Sequence, residues 1–283
     1  MRLAHLILAH SQPNQLMRLV KSLLYKNDDI YIHIDAKSDW QQFLPLATMP
    51  HVFLIEKREK VYWGAFSIVQ ATLNGFEAIL ATKIKYDFVN LLSGQDYPLQ
   101  SIDKMHVFFE ANKGKAFMEF YSVNDTWKEA IPRITQYHLT DYHFVGTHFL
   151  QRVINFVLPK RKPPLQMTFV GRSQWFTIGS NHIKYIVEFL QKNASVRRFF
   201  KMTWGADEFV FQTILFNSPF KNSMVNNNLR YIDWSGGGVS PKTFTVNDAE
   251  TLLQSDRFFA RKFDAMASCD LLNLVDEKIA VSN

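Results

Sequence analysis

An α/β fold built on a Rossmann-like, mostly parallel central sheet is what this sequence predicts. Two observations carry the prediction. Short apolar runs alternate with stretches of helical periodicity through the N-terminal part, and their order reads β-α-β-β-α-β. Such an order needs crossover helices lying over a parallel sheet.

"LAHLILAH" is the first expected strand, and Leu16, Leu19, Val20, Leu23 and Leu24 then recur at helical spacing. "IYIHID" and "VFLI" (Val52–Ile55) are the second and third strands. Val69, Leu73, Phe76, Ile79 and Leu80 mark a second amphipathic helix, and "DFVNLLS" a fourth strand. "GQDYPL" reads as a loop. Ligands of such sheets sit beyond the carboxyl ends of the strands. The middle of the chain is less regular. "LPKRKPP" is a loop or hinge, and "MTFVGRSQWFTIGS" reads as two strand pieces around a Gly-containing turn. "NHIKYIVEFL" is a helix with Ile183, Ile186, Val187 and Leu190 on one face. "WGADEFVFQTIL" opens another, with Asp207 and Glu208 in its first turn. "NNLRYIDW" is a strand, and "SGGGVSP" a loop whose glycines admit a ligand close to the backbone.

Composition narrows the function classes. Charged residues at 20% and hydrophobic residues at 47% exclude a disordered chain. A net charge of +6 is too mild and dispersed for a nucleic-acid protein, and suits an anionic ligand or membrane surface. Cys269, the one cysteine, excludes an intrachain disulfide and fits a reducing compartment. The apolar run after Arg2 is too short to span a membrane and lacks a cleavage pattern. A cytoplasmic protein is expected, soluble or peripheral at the inner membrane face. Lys160, Arg161 and Lys162 read first as solvated charges, with contact to an anionic membrane as the second reading.

Several motifs are absent: G-x-G-x-x-G after the first strand, a phosphate-binding G-x-x-x-x-G-K-[ST] loop, H-E-x-x-H and G-x-S-x-G. The nine histidines show no ligand spacing; His10 and His33 close two early strands, where they read first as hydrogen-bonded structural histidines, with a loop-facing ligand contact as the second reading. Asp-x-Asp, which would hold a cation on a sugar-nucleotide diphosphate, is also missing. Asp28 and Asp29 are adjacent and read as turn residues. A bound diphosphate would therefore need basic side chains to neutralise it.

Eight segments in order, "YIHIDAKS", "VYWGAFSIVQATL", "FVNLLSGQDYPL", "GRSQWFTIGS", "ADEFVFQTIL", "NNLRYIDW", "SPKTF" and "FFARKFD", resemble the core-2/I-branching glycosyltransferases, glycosyltransferase family 14. That family includes branching β-1,6-N-acetylglucosaminyltransferases and peptide O-xylosyltransferases, and "NNLR", "SP" and "FFARKF" look closest to the latter. The resemblance implies a GT-A-type fold over a single domain, 1–283. Residues 1–125 would mainly bind the nucleotide sugar, and 165–265 would serve donor sugar, acceptor and catalysis. It also implies an inverting, metal-independent transfer of N-acetylglucosamine or xylose from a UDP-sugar to a hydroxyl of a glycan or lipid-linked acceptor, without a cofactor.

Residue roles follow from the same resemblance. Glu208 would be the catalytic base, its place at a helix start favouring the ionised form, and Asp207 the helix cap. Arg261 and Lys262 would replace a metal at the diphosphate. Ser240 and Lys242 would lie beside them. Ala9 and Asp35 would border the nucleotide, with Val61, Tyr62 and Trp63 as a second part of its pocket. Gln174 and Trp175 would meet the donor sugar. Gln174 stands where the xylosyltransferase branch carries an acid; an amide still hydrogen-bonds hydroxyls, but the departure weighs against xylose. The absent anchor and disulfides suggest a bacterial-type enzyme. The competing expectation is a non-catalytic UDP-sugar or glycan-binding protein on the same scaffold.

Overall fold

The N-terminal apolar runs form parallel strands buried on both faces, which is why they read as unbroken runs. Leu3, Leu6, Ile7, Ile30, Ile32, Leu91 and Leu92 are all fully buried. The computed structural model describes residues 1–281, in two units that each draw on separate stretches of chain.

The first unit comprises Met1–Glu56, Lys85–Gly114 and Leu229–Asn283. It contains β1 (Leu3–Ala9), α1 (Pro13–Leu23), β2 (Asp29–Ile34), β3 (Val52–Leu54), β4 (Phe88–Ser93), β5 (Asp96–Pro98) and α3 (Ile102–Ala111). Later elements are β9 (Arg230–Ile232), α9 (Ala249–Gln254), β10 (Phe259–Arg261) and α10 (Cys269–Val281). The strands run parallel in the order β3-β2-β1-β4. Strand order reverses at β1, so a crevice opens beyond the carboxyl ends of β1 and β4. Gly94 lies there; a Cβ on it would come within 3.2 Å of the Ala9 Cβ. A small sheet, β5-β10-β9, sets Arg261 opposite Asp96. Helix α1 starts with Pro13 in its first turn and buries Leu16, Leu19, Val20 and Leu23.

The second unit comprises Lys57–Ile84 and Lys115–Asn228. It contains α2 (Phe66–Ala81), β6 (Ala116–Ser122), α4 (Ile131–Thr135), α5 (Thr147–Val157) and β7 (Val170–Gly179). These are followed by α6 (Ser180–Lys192), α7 (Ala194–Lys201), α8 (Val210–Phe216) and β8 (Met224–Asn226). Strand β7 is antiparallel to β6, which is parallel to β8. The core is aromatic: Phe76, Phe176 and Phe211 meet at centroid distances of 5.3 to 6.3 Å. The expected helices over 69–80 and 183–190 are α2 and α6.

Several expectations need correction. "GQDYPL" contains β5, because Asp96–Pro98 finds a partner in β10 far along the chain. "GRSQWFTIG" is one continuous strand, with Gly171 inside it. Strands β6 and β8 are additions to the expected set. Asp28 and Asp29 are not turn residues: both are buried. Asp28 accepts from the Leu3 N–H at 2.8 Å and bonds His106 at 2.6 Å. Asp29 accepts from Arg2 at 2.6 Å and bonds His51 at 2.8 Å. They anchor the amino ends of β1 and β2. His33 lies inside β2, fully within the core.

Arg161 is not a surface charge. Its guanidinium donates to the carbonyls of Gln136, at 2.9 Å, and of Phe199 and Met202. The last two carbonyls belong to the end of α7, where a cation is favoured. Burial pulls its pKa down to about 10. Lys160 and Lys162 remain exposed.

Candidate active site

In the second unit, the stretch before α8 is shaped by glycine. Gly205 takes a left-handed φ of 66° and begins a 3₁₀ turn over Ala206–Glu208. Its N–H donates to the carbonyl of Gly64, itself at φ 69°, at 2.7 Å. From the other side β7 presses against the turn: a Cβ on Gly171 would lie 2.1 Å from the Glu208 carbonyl oxygen. A glycine inside a strand marks such a close backbone approach.

Glu208 projects from this turn with its side chain 29% exposed. Arg133 Nη1 donates to its Oε2 at 2.5 Å. The same guanidinium sits 4.2 Å from the Trp204 ring centroid and 5.2 Å from that of Trp127. Burial raises the Glu208 pKa, while Arg133 and then Arg172 oppose the shift. Placement at a helix start, expected to favour the ionised form, therefore does not dominate; desolvation outweighs it.

Asp207 is not a helix cap either. Neither the 3₁₀ turn nor α8 has a side-chain cap hydrogen bond. Asp207 is buried and its Oδ1 has no hydrogen-bond partner among the described residues. Burial, and then the neighbouring Glu208 charge, push its pKa up to about 7.

Trp63, 63% exposed, meets Trp204 edge-on at 5.2 Å, so it is not core. Tyr62 packs on His143 at 3.7 Å. Val61 is half-buried beside them. Gln174 and Trp175 lie further along β7 from Gly171, both buried, and Gln174 Nε2 has no partner among the described residues. The second unit thus links Val61, Tyr62 and Trp63 to Glu208 through Trp204 and the Gly64–Gly205 bond.

The first unit gathers the other expected residues at the carboxyl ends of its strands. Asp35 follows β2; its N–H donates to the Ala9 carbonyl at 2.8 Å, and its Oδ1 accepts from the Lys37 N–H at 2.8 Å. Arg261 pairs with fully buried Asp96 at 2.9 Å. Burial raises the Asp96 pKa against the pull of Arg261 and of the Ser93 N–H. Lys262 Nζ lies 3.4 Å from Ser240 Oγ, and Lys242 pairs with Asp248 at 2.5 Å. His10 connects the two groups. Burial lowers its pKa; Asp35 opposes this, while Arg261, Lys37 and Lys262 add to it.

Sequence reasoning missed Arg133, Asp96 and Asp248. Arg133 and Asp96 have partners far along the chain and sit in no recognisable local pattern; Asp248 closes a capping box with Thr245, a local signal that could have found it. Among the described residues no group of three His, Cys, Asp or Glu side chains is placed to hold a metal ion.

Comparisons with known proteins agree with the resemblance. The family model described as Core-2/I-Branching enzyme matches residues 3–254, and the chain belongs to that family. Xylosyltransferase 2 of Rattus norvegicus is 27% identical over 300 residues, covering 97% of this chain and 33% of that protein. Xylosyltransferase oxt of Drosophila pseudoobscura pseudoobscura is 28% identical over 291 residues, covering 93% and 31%. The chain therefore spans about a third of the length of the curated relatives it matches. Among solved structures, galactosyltransferase LgtC with donor and acceptor sugar analogs gives a TM-score of 0.46 at 9% identity, covering 98% of this chain and 96% of LgtC. Mouse xyloside xylosyltransferase 1 in its apo form gives 0.39 at 10%, covering 91% and 97%.

Proposed function

We propose that this chain is a GT-A-type, inverting glycosyltransferase that moves N-acetylglucosamine or xylose from a UDP-sugar to a hydroxyl of a glycan or lipid-linked acceptor. The observation that carries the reading is Glu208. Its carboxylate is partly exposed, among the described residues only Arg133 hydrogen-bonds it, and Oε1 is left to take a proton. The base removes the acceptor proton as the hydroxyl oxygen attacks the anomeric carbon; the sugar–phosphate bond breaks and UDP leaves with its electron pair. A raised pKa brings the base nearer to operating pH, where proton transfer is most effective.

In this reading the first unit binds the nucleotide. Arg261, Lys262 and Lys242 offset the charge that grows on UDP, the task a metal performs elsewhere. Ala9 and Asp35 border the nucleotide, and within the second unit Gln174 and Trp175 meet the donor sugar. The orphaned Gln174 Nε2 supports a hydrogen bond to a sugar hydroxyl, because buried donors are rarely left unpaired. The test is a screen of UDP-sugars for hydrolysis and thermal stabilisation, with and without chelator. Stabilisation by UDP-N-acetylglucosamine or UDP-xylose in chelator is expected. Stabilisation that requires manganese or magnesium would overturn the metal-free reading, and stabilisation without any turnover would favour a binding protein.

A further inference from the structure

Helix α5 is amphipathic in the opposite sense to an ordinary surface helix. At about 100° per residue, Phe149, Leu150, Val153, Ile154, Phe156 and Val157 share one arc, and Gln151, Arg152 and Asn155 the other. The polar arc is the one fastened to the protein. Gln151 Oε1 accepts from the Leu139 N–H at 2.8 Å. Asn155 Oδ1 accepts from the Tyr137 N–H at 2.7 Å, and its Nδ2 donates to the Tyr137 carbonyl at 2.8 Å. No residue of α5 is buried, and Phe149, Phe156 and Val157 are 73%, 92% and 68% exposed. Val145 before the helix and Leu158 after it extend the same surface.

The charges of this stretch of chain share one sign. Arg152 borders the apolar arc, and exposed Lys160 and Lys162 follow the helix. No Asp or Glu occurs between Asp141 and Glu188. Large apolar side chains flanked by cations, on a helix held parallel to the surface, are the features of an interfacial helix. We propose that α5 docks this chain on an anionic lipid bilayer, lying in the headgroup plane with its apolar arc inserted and Arg152, Lys160 and Lys162 against lipid phosphates. Arg161, turned inward to the end of α7, takes no part. The acid-free stretch and cationic flank select an anionic bilayer over an apolar protein partner, which would not require them.

The experiment is sedimentation of the full chain with phosphatidylcholine vesicles, with and without phosphatidylglycerol, at low and high salt. Binding is expected to the anionic vesicles and to weaken with salt. Phe149→Ser with Phe156→Ser should lower the partition coefficient roughly tenfold or more. Lys160→Ala and Lys162→Ala should each lower it roughly fivefold. Circular dichroism and melting check that the variants remain folded, as substitutions on an exposed arc should. Failure to bind either vesicle overturns the proposal, as does unchanged binding by the variants. A dimer in sedimentation velocity that Phe156→Ser dissolves, without vesicle binding, would give the surface to a second copy instead.

Discussion

Arg133 reaches Glu208 at 2.5 Å while its guanidinium rests 4.2 Å from the Trp204 ring centroid, so the carboxylate is held by a cation that is itself held by an indole. Under the proposed function this fixes the orientation of the base. Glu208→Gln should keep folding and UDP affinity yet reduce transfer by about 10²–10⁴-fold, the usual worth of a general base. Asp207→Asn should largely retain transfer. Rates for the two variants decide the assignment: loss of transfer in Asp207→Asn beside full transfer in Glu208→Gln would move the role to Asp207.

Arg133 itself gives a separate prediction. Arg133→Ala removes a charge that opposes the upward shift of Glu208. The acidic limb of the pH–rate profile should move to higher pH, with UDP affinity unchanged. A profile that keeps its position would show that Arg133 only packs on Trp204.

Asp207 sets a pH dependence of stability. Its pKa in the fold is about 7, above the ordinary 3.8, chiefly through burial. Below about pH 4 the carboxyl is protonated in both states and has no effect. As pH rises from about 4 to about 7 the unfolded chain releases the proton first, so stability falls through this window and levels off above it. Asp207→Asn should remove that decline and stabilise the protein at neutral pH, by at most roughly 4 kcal/mol. Melting curves of both proteins across the window test this; parallel curves would refute it.

Arg261 and Lys262 should separate. Lys262→Ala should weaken UDP binding and leave the fold intact, since its contact is one exposed hydroxyl. Arg261→Ala should do both, because it strands the fully buried Asp96 carboxylate, at a cost of roughly 3–5 kcal/mol. Arg261→Met combined with Asp96→Asn, which removes the stranded charge and keeps an acceptor for the Ser93 N–H, should recover stability without recovering UDP affinity. Titration calorimetry and melting, run together, distinguish these outcomes.

Arg161 differs from its neighbours in the same way. Arg161→Ala takes a charged donor from the carbonyls of Gln136, Phe199 and Met202, of which the last two keep the Met202 and His138 N–H groups, and should cost about 2 kcal/mol. Lys160→Ala and Lys162→Ala should leave the melting temperature almost unchanged.

Much of this architecture was legible because it is local. The apolar runs of β1, β2 and β4 and the periodicity of α1, α2 and α6 are properties of short windows, and the parallel sheet follows from their order. What escaped was pairing across sequence. Asp96–Pro98 has no strand signal of its own and becomes β5 only because Arg261 and its neighbours lie alongside. Arg161 reads as one of three surface cations until the end of α7 is seen to need a donor. Asp28 and Asp29 look like a turn until Leu3, His106, Arg2 and His51 are placed against them. In the candidate site Glu208 was visible through the family motif, but Arg133, which pairs with it, was not. Asp207 was misread because an acid before an apolar run usually caps, and only the 3₁₀ geometry shows that it cannot.

The bond from the Gly205 N–H to the Gly64 carbonyl has a consequence for reading mutational data. Gly64 offers no side chain to any reaction. Yet its φ of 69° strains any side chain, and a Cβ would lie 3.0 Å from Trp204 Nε1, so the indole would have to give way by a few tenths of an ångström. Replacing it with alanine would push on the indole beneath Arg133 and loosen the turn that presents Glu208. In a scan of single substitutions, position 64 should score like an essential acid or base, and the damage would be to alignment and not to chemistry.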